Sequence, residues 1–293
     1  MNMRSIPLFA LQIKSISSDY ERPNFPNPSP SRRKIRRERP KASVECIPLD
    51  LSSFDSVKTF VQMFLNRHNK LNYLLLNAGV LGLPFTLTEN GYETTFQVNY
   101  LAHFYLTRLL ETTMRASTPA RVTAVSAESH RFADIEDANL DLNPEKLSPR
   151  TAQDYVNILA YNNSKLCLQL FVYELHKRLQ PYGVSANSCH PGNVITSGLS
   201  RNWWPYRILY FLVRPFTKTL PQAAACPIYA LTFKGHESLP PGAYFNNCQQ
   251  CHPSMPALDD RLTKKLWTLS EQMISNVVLH KTLKEDTVVK IIV

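Results

Sequence analysis

The chain has 293 residues, 44% hydrophobic and 19% charged, which is enough to bury one large core and excludes wholesale disorder. All eight glycines lie at or after Gly79, so a mechanism needing a glycine-rich turn before that point is excluded. The net charge of +10 is concentrated in residues 1–43, which hold ten Lys/Arg and three acids; the remainder has 23 against 20, which argues against a nucleic-acid binder. No apolar run approaches the ~18 residues of a membrane span.

In chain order, residues 1–43 read as a flexible basic arm, because Pro23, Pro26, Pro28 and Pro30 follow one another too closely for helix or central strand. Its cluster Arg32, Arg33, Lys34, Arg36, Arg37 and Arg39 fits a solvated linker first. A nuclear import address or a patch for acidic partners is the alternative, and the first 18 residues, with Arg4 and Lys14 and no acid, faintly resemble a transit peptide. The expected location is cytoplasmic, with the nucleus open through the arm.

A domain is expected over residues 44–275, followed by a tail over 276–293. Val44 to Leu49 reads as a strand ending at Asp50, and Ser52 with Asp55 as a capping box. Val57, Phe60, Val61, Phe64 and Leu65 then fall at helical spacing. Tyr73 to Leu76 is a short strand, and Val98, Leu101, Ala102, Tyr105, Leu106 and Leu109 mark the next helix. Arg121 to Ser126 is a strand. Leu168, Phe171, Leu175 and Leu179 predict a helix from near Tyr161, with strands at Val184 to Cys189 and 242–246 and a last helix around Leu262 to Ile274. This alternation predicts an α/β fold, a doubly wound, mainly parallel sheet of Rossmann type.

The six cysteines give no secreted disulfide framework. Cys248-Gln-Gln-Cys251-His252 matches a short haem or half-zinc pattern, but no second ligand pair accompanies it, so no metal is expected.

Tyr161 and Lys165 are four apart, which on a helix places a phenol and an ammonium on one face. An ammonium beside a phenol favours the phenolate, a form able to take or give a proton at an alcohol or carbonyl. Alone, such a pair is more often a solvated helix face. Asn77-Ala78-Gly79 ends one strand, Asn99 lies in the following helix, and His190-Pro191-Gly192 ends another strand; in open α/β sheets such ends converge on the ligand crevice.

With LDL at 49–51, NAG at 77–79, Asn99, Tyr161-x-x-x-Lys165 and HPGNV at 190–194, the chain resembles the short-chain dehydrogenase/reductase family over about residues 42–275. ETTFQVNYLAHFYL at 93–106, SAESHRF at 126–132, RNWWPY at 201–206, RPFTK at 214–218 and YFNNC at 244–248 are similar to a branch of that family that also carries WW modules. No such module is found in these residues, so proline-motif binding is not implied. The resemblance implies that Tyr161 is the general acid/base, that Lys165 lowers its pKa and holds the nicotinamide ribose, and that Asn99 supports a proton relay. Asp50 and Leu51 would meet the adenine, Asn77, Ala78 and Gly79 would line the cofactor, and Pro191, Gly192 and Val194 would flank the nicotinamide. Trp203 and Trp204 would cover substrate or simply pack.

Two departures qualify that reading. Ala127 stands where the family places a catalytic serine, and Ser129, two residues on, is the substitute, with Ser126 pointing away. The family's first strands and TGxxxGxG turn have no counterpart before Val44, so the strand there would pair with the one at Leu74 or drift free. The expected function is an NAD(P)-dependent oxidoreductase, NADP ahead of NAD, acting on a hydroxyl or carbonyl of a small apolar substrate, as a truncated or partial copy. The alternative is a catalytically silent scaffold that binds protein partners; a homodimer is open.

Overall fold

A computed structural model describes residues 9–10, 35, 37–40, 43–136, 141–153, 155–192 and 218–291, the side chains of 9, 10, 220 and 280–291 excepted. The strands are β1 (Phe9–Ala10), β2 (Tyr73–Leu76), β3 (Ala120–Val125), β4 (Val184–His190), β5 (Tyr244–Asn246) and β6 (Gln249–Cys251). They form one sheet in that order, parallel except for β6, which runs antiparallel to β5. The helices are α1 (Phe54–Leu65), α2 (Thr94–Phe96), α3 (Ala102–Ala116), α4 (Pro144–Leu147), α5 (Asn157–Leu179), α6 (Leu220–Thr232) and α7 (Asp260–Ile291). Among the described residues no helix is long and apolar enough to cross a membrane.

Period-two alternation divides the sheet into two faces. Leu74, Leu76, Val122, Ala124 and Ala186 join the main core with α1, α3, α5 and α7. Leu75, Val125 and Cys189 face the other way, onto Cys226 and Ala230 of α6 and Phe245 of β5. Helix α5 is buried almost all round, and Phe171 on it meets Phe104 of α3 at 5.4 Å and Trp267 of α7 at 6.1 Å between ring centroids. That aromatic packing holds α5 against the sheet and so fixes Tyr161 and Lys165 near its first turns.

Several expectations are corrected. Residues 44–49 form no strand; Phe9 and Ala10, from the segment read as an arm, pair with Leu74 and Leu75 instead. That edge of β2 accepts only one parallel neighbour, so once β1 occupies it residues 44–49 have no ladder to join. Ser53, not Ser52, caps α1, accepting from Ser56 N–H, because the Ser52 hydroxyl is turned onto Asp50 Oδ1 at 2.7 Å. Leu65 is exposed, the apolar stripe having rotated off the core by the last residue of α1. Helix α7 runs on through residue 275, where a tail was expected to begin.

Candidate active site

The site assembles where β2, β3 and β4 end, beside the N-terminal half of α5. The buried Glu93 carboxylate accepts from the N–H groups of Thr95 and Phe96, both at 2.8 Å, and so starts α2. Helix α2 passes through one π turn, Gln97–Leu101, into α3. Such turns insert an extra residue and re-aim side chains. Asn99 lies inside it, fully buried. Its Oδ1 accepts from Val80 N–H at 2.7 Å, and its Nδ2 donates to Val80 O and Ser164 Oγ, each at 3.0 Å. The Ser164 hydroxyl donates in turn to the Tyr161 carbonyl at 2.7 Å. Both amide hydrogens of Asn99 are thereby engaged, and its side chain ties the segment after β2 to the helix that carries Tyr161.

Lys165 is buried, its Nζ donating to the Val125 carbonyl at the end of β3 (2.9 Å) and lying 5.4 Å from the Tyr161 ring centre. Burial pushes its ammonium down to about 8. Gly79 stands beside both groups: a Cβ there would lie 3.2 Å from Asn99 Oδ1 and 3.4 Å from Lys165 Nζ. A larger residue there would crowd Asn99 Oδ1 and come into contact with Lys165 Nζ. His103, one helical turn after Asn99, donates from Nε2 to the Ala78 carbonyl at 3.0 Å; burial pushes its imidazole down to about 4, so the ring is neutral. Asn77 is exposed next to this strand end, with Ala78 and Gly79 half-buried.

At the end of β3 the Ser126 hydroxyl donates to the Lys165 carbonyl at 3.0 Å. That bond turns Ser126 onto α5, the helix that carries Tyr161 and Lys165. Ala127 packs with Leu81 and Tyr161, so a methyl group occupies the place where a serine hydroxyl was sought. The turn that follows, Glu128–Phe132, packs against α5. Within it the Ser129 hydroxyl is buried and has no hydrogen-bond partner. His130 holds this turn: Nδ1–H donates to Ala127 O at 2.6 Å and Nε2 accepts from Ser254 N–H at 3.0 Å.

The end of β4 places Pro191 and Gly192 nearby, with Gly192 at φ +107, a conformation that favours glycine. Lys218 Nζ donates to the Pro191 carbonyl at 3.3 Å and to Asn247 Oδ1, and it fills the space a Gly192 side chain would need. Asp50 and Leu51 lie just before α1. The Asp50 carboxylate accepts from Ser52 N–H at 2.8 Å, and the Leu51 carbonyl accepts from Gln97, two residues before Asn99, at 3.3 Å. Val194, Trp203 and Trp204 lie outside the described residues. Sequence reading missed Ser164, His103, His130 and Lys218. His103 could have been found as the residue four after Asn99, and Ser164 as the residue before Lys165.

Comparison with known proteins gives the family. Residues 29–133 match the family model for short chain dehydrogenase. The human WW domain-containing oxidoreductase is 48% identical over 241 residues, 82% of this chain and 58% of that protein. Mouse retinol dehydrogenase 12 is 36% identical over 240 residues, covering 82% of this chain and 72% of its own length. The chain belongs to the short-chain dehydrogenase/reductase family. It spans less than two thirds of the length of the WW domain-containing oxidoreductases it matches. Among solved structures, a Mycobacterium paratuberculosis protein is 28% identical with a TM-score of 0.59, covering 79% of this chain and 76% of that one. The NADPH-bound short chain oxidoreductase of Pseudomonas aeruginosa PAO1, 13% identical with a TM-score of 0.54 over 74% of this chain and 79% of that one, shares the fold.

The family's nicotinamide cofactor fits one half of this site. The cleared space at Gly79, the buried ammonium of Lys165 and the Pro191–Gly192 strand end suit the nicotinamide and its ribose. The phosphate half has no glycine to bring backbone N–H groups close, since none precedes Gly79.

Proposed function

We propose that this chain carries the proton-transfer half of an oxidoreductase site acting on a hydroxyl or carbonyl of an apolar substrate, with NADP(H) ahead of NAD(H). The observation that carries it is the placing of Tyr161 and Lys165 at the joined ends of β2, β3 and β4, with Lys165 buried beside the opening at Gly79. A nicotinamide bound there supplies or removes the hydride. Tyr161 gives a proton to the substrate oxygen on reduction and takes it back on oxidation. Lys165 and Tyr161 share one helix face, with Nζ 5.4 Å from the phenol ring centre, and the ammonium would donate toward a ribose hydroxyl. Asn99 is a positioning residue, because its side chain is committed to Val80 and Ser164. Ser129 supplies the hydroxyl that Ala127 lacks, its buried and unpartnered Oγ being the donor available for a carbonyl oxygen. Asp50, Leu51 and Asn77 would lie toward the adenosine side, and Pro191, Gly192 and Val194 along the nicotinamide.

An apolar substrate is supported by two side chains around the Ser129 turn: Phe132, 74% exposed, ends it, and Met255, 82% exposed, follows Ser254, which bonds His130. The relative named retinol dehydrogenase 12 points the same way. NADP is favoured by the NADPH-bound neighbour. A scaffold without turnover is the second reading, favoured by the methyl group of Ala127 and the absent glycine turn.

The test is calorimetric titration of the chain with NADPH and NADH, followed by single-turnover reduction of an apolar aldehyde. NADPH should bind more weakly than micromolar and still support Tyr161-dependent reduction, with Tyr161→Phe slowing it by about 10²-fold or more at unchanged cofactor affinity. Retention of more than about a tenth of the rate in Tyr161→Phe removes the assignment, and no reduction at saturating cofactor leaves the scaffold.

A further inference from the structure

On the face of the sheet away from α5, three thiols meet at one point. Cys189 on β4 and Cys226 on α6 are buried in the small core, and Cys248, half-buried, packs against it from the turn joining β5 to β6. As a thiol, Cys226 donates to the Phe245 carbonyl at 3.8 Å. As a thiolate it accepts from Cys248 N–H at 3.3 Å and from the thiols of Cys189 and Cys248. Asn247 and Cys248 hold φ of 52° and 63°, left-handed values unusual for residues with side chains. That conformation turns the Cys248 N–H and thiol onto Cys226. The two-residue hairpin turn between β5 and β6 requires these left-handed values, and it is this turn that fixes Cys248 against Cys226.

We propose that Cys226 and Cys248 are a redox pair, oxidised by a hydroperoxide to a reversible disulfide. The Cys226 thiolate attacks the distal oxygen of the hydroperoxide; the O–O bond breaks, and the leaving oxygen takes a proton to become water or an alcohol. Cys226 is then a sulfenic acid. The Cys248 sulfur attacks the Cys226 sulfur, the S–S bond forms, the S–O bond breaks, and hydroxide leaves with the Cys248 proton as water. Two thiols lose two electrons, and one hydroperoxide gains them.

The surroundings support Cys226 as the attacking sulfur. Its hydrogen bond from Cys189 lowers it, and against burial the Cys248 bonds and the nearby Lys218 lower it further, to about 6. Burial pushes the Cys189 thiol well up, so it remains a donor. The three thiols are not arranged as a metal-holding group, none of three or more His, Cys, Asp or Glu being found among the described residues. Oxidation also reaches the active site. Asn247, next to Cys248, holds Lys218, which holds the Pro191 carbonyl beside Gly192.

The test uses the full reduced chain, treated with hydrogen peroxide near neutral pH, blocked with N-ethylmaleimide and digested with trypsin without reduction. Cys226 falls in peptide 219–234, and Cys248, with Cys251, in 235–261. A cross-link between these two peptides that dithiothreitol removes is expected, lost in Cys248→Ser and retained in Cys251→Ser. In Cys248→Ser, dimedone should label Cys226, which shows a folded pocket with the sulfenic acid stranded. Oxidation confined to the exposed Cys46 and Cys251, or a cross-link that survives in Cys248→Ser and vanishes in Cys251→Ser, overturns the proposal.

Discussion

Lys165→Met should stabilise the chain near neutral pH, and the gain should vanish in alkali. Burial moves the Lys165 ammonium from its ordinary value of 10.5 to about 8. At about 1.4 kcal/mol for each pH unit, the buried charge costs about 3 kcal/mol at pH 7. Methionine fills a similar volume without the charge, but it abandons the Val125 carbonyl, whose lost hydrogen bond costs about 1 kcal/mol. The net expectation is a gain of about 2 kcal/mol at pH 7. Between pH 8 and 10.5 the unfolded chain holds a proton that the folded chain has released, so wild-type stability rises with pH through that window. By pH 10 the two chains should be about equal. Urea denaturation of both proteins at intervals from pH 7 to 10 measures this, because groups common to the two chains cancel in the difference. Profiles that stay parallel across the range would show that Lys165 is not buried as a cation and would refute the reasoning.

Three further outcomes follow from the site. Ala127→Ser should raise the reduction rate by about 10² if no other group binds the carbonyl oxygen, whereas Ser129→Ala should lower it by a similar factor if Ser129 has taken that role; no change in either variant removes hydroxyl assistance from the site. His103, held neutral by burial at about 4, makes stability fall as pH drops from 6.5 toward 4, since only the unfolded chain takes up the proton. His103→Gln should flatten that fall by about 2 kcal/mol between pH 7 and 4.5 in urea midpoints, and an unaltered slope would show another group is responsible. Gly79→Ala should weaken NADPH binding with little change in thermal midpoint, because the new methyl presses on Asn99 Oδ1 and Lys165 Nζ rather than on the core; unchanged binding would place the cofactor elsewhere.

The elements of the main core were legible because their signals are local. Short strand runs at residues 73–76, 121–126 and 184–189 and helical stripes such as Val57, Phe60, Val61 and Phe64 mark these elements within a few residues. Residues 44–49 misled because a strand is defined by its neighbour, and the neighbour here is decided by which segment reaches β2. The chain's order of Asn99, Tyr161 and Lys165 carried the site, while its connecting bonds did not show. Ser164 and His130 act through single hydrogen bonds between segments 65 and 124 residues apart, and nothing in local composition encodes such pairings. Ala127 was legible as a departure, but the unpartnered hydroxyl of Ser129 emerges only once the following turn is packed on α5.

The buried cation also bears on the choice between an enzyme and a scaffold. β2, β3 and β4, with α3 and α5, form a continuous core that backs Asn99 and Lys165. In a scaffold, Lys165 would sit in that core at a cost of about 3 kcal/mol, with no acidic side chain among the described residues acting to offset it. Asn99 likewise commits its buried amide to tying the segment after β2 to α5. A ligand hydroxyl beside Gly79 would give the ammonium a second acceptor besides the Val125 carbonyl. The same cost that makes Lys165→Met stabilising is therefore the cost that an occupant bonding the ammonium would offset.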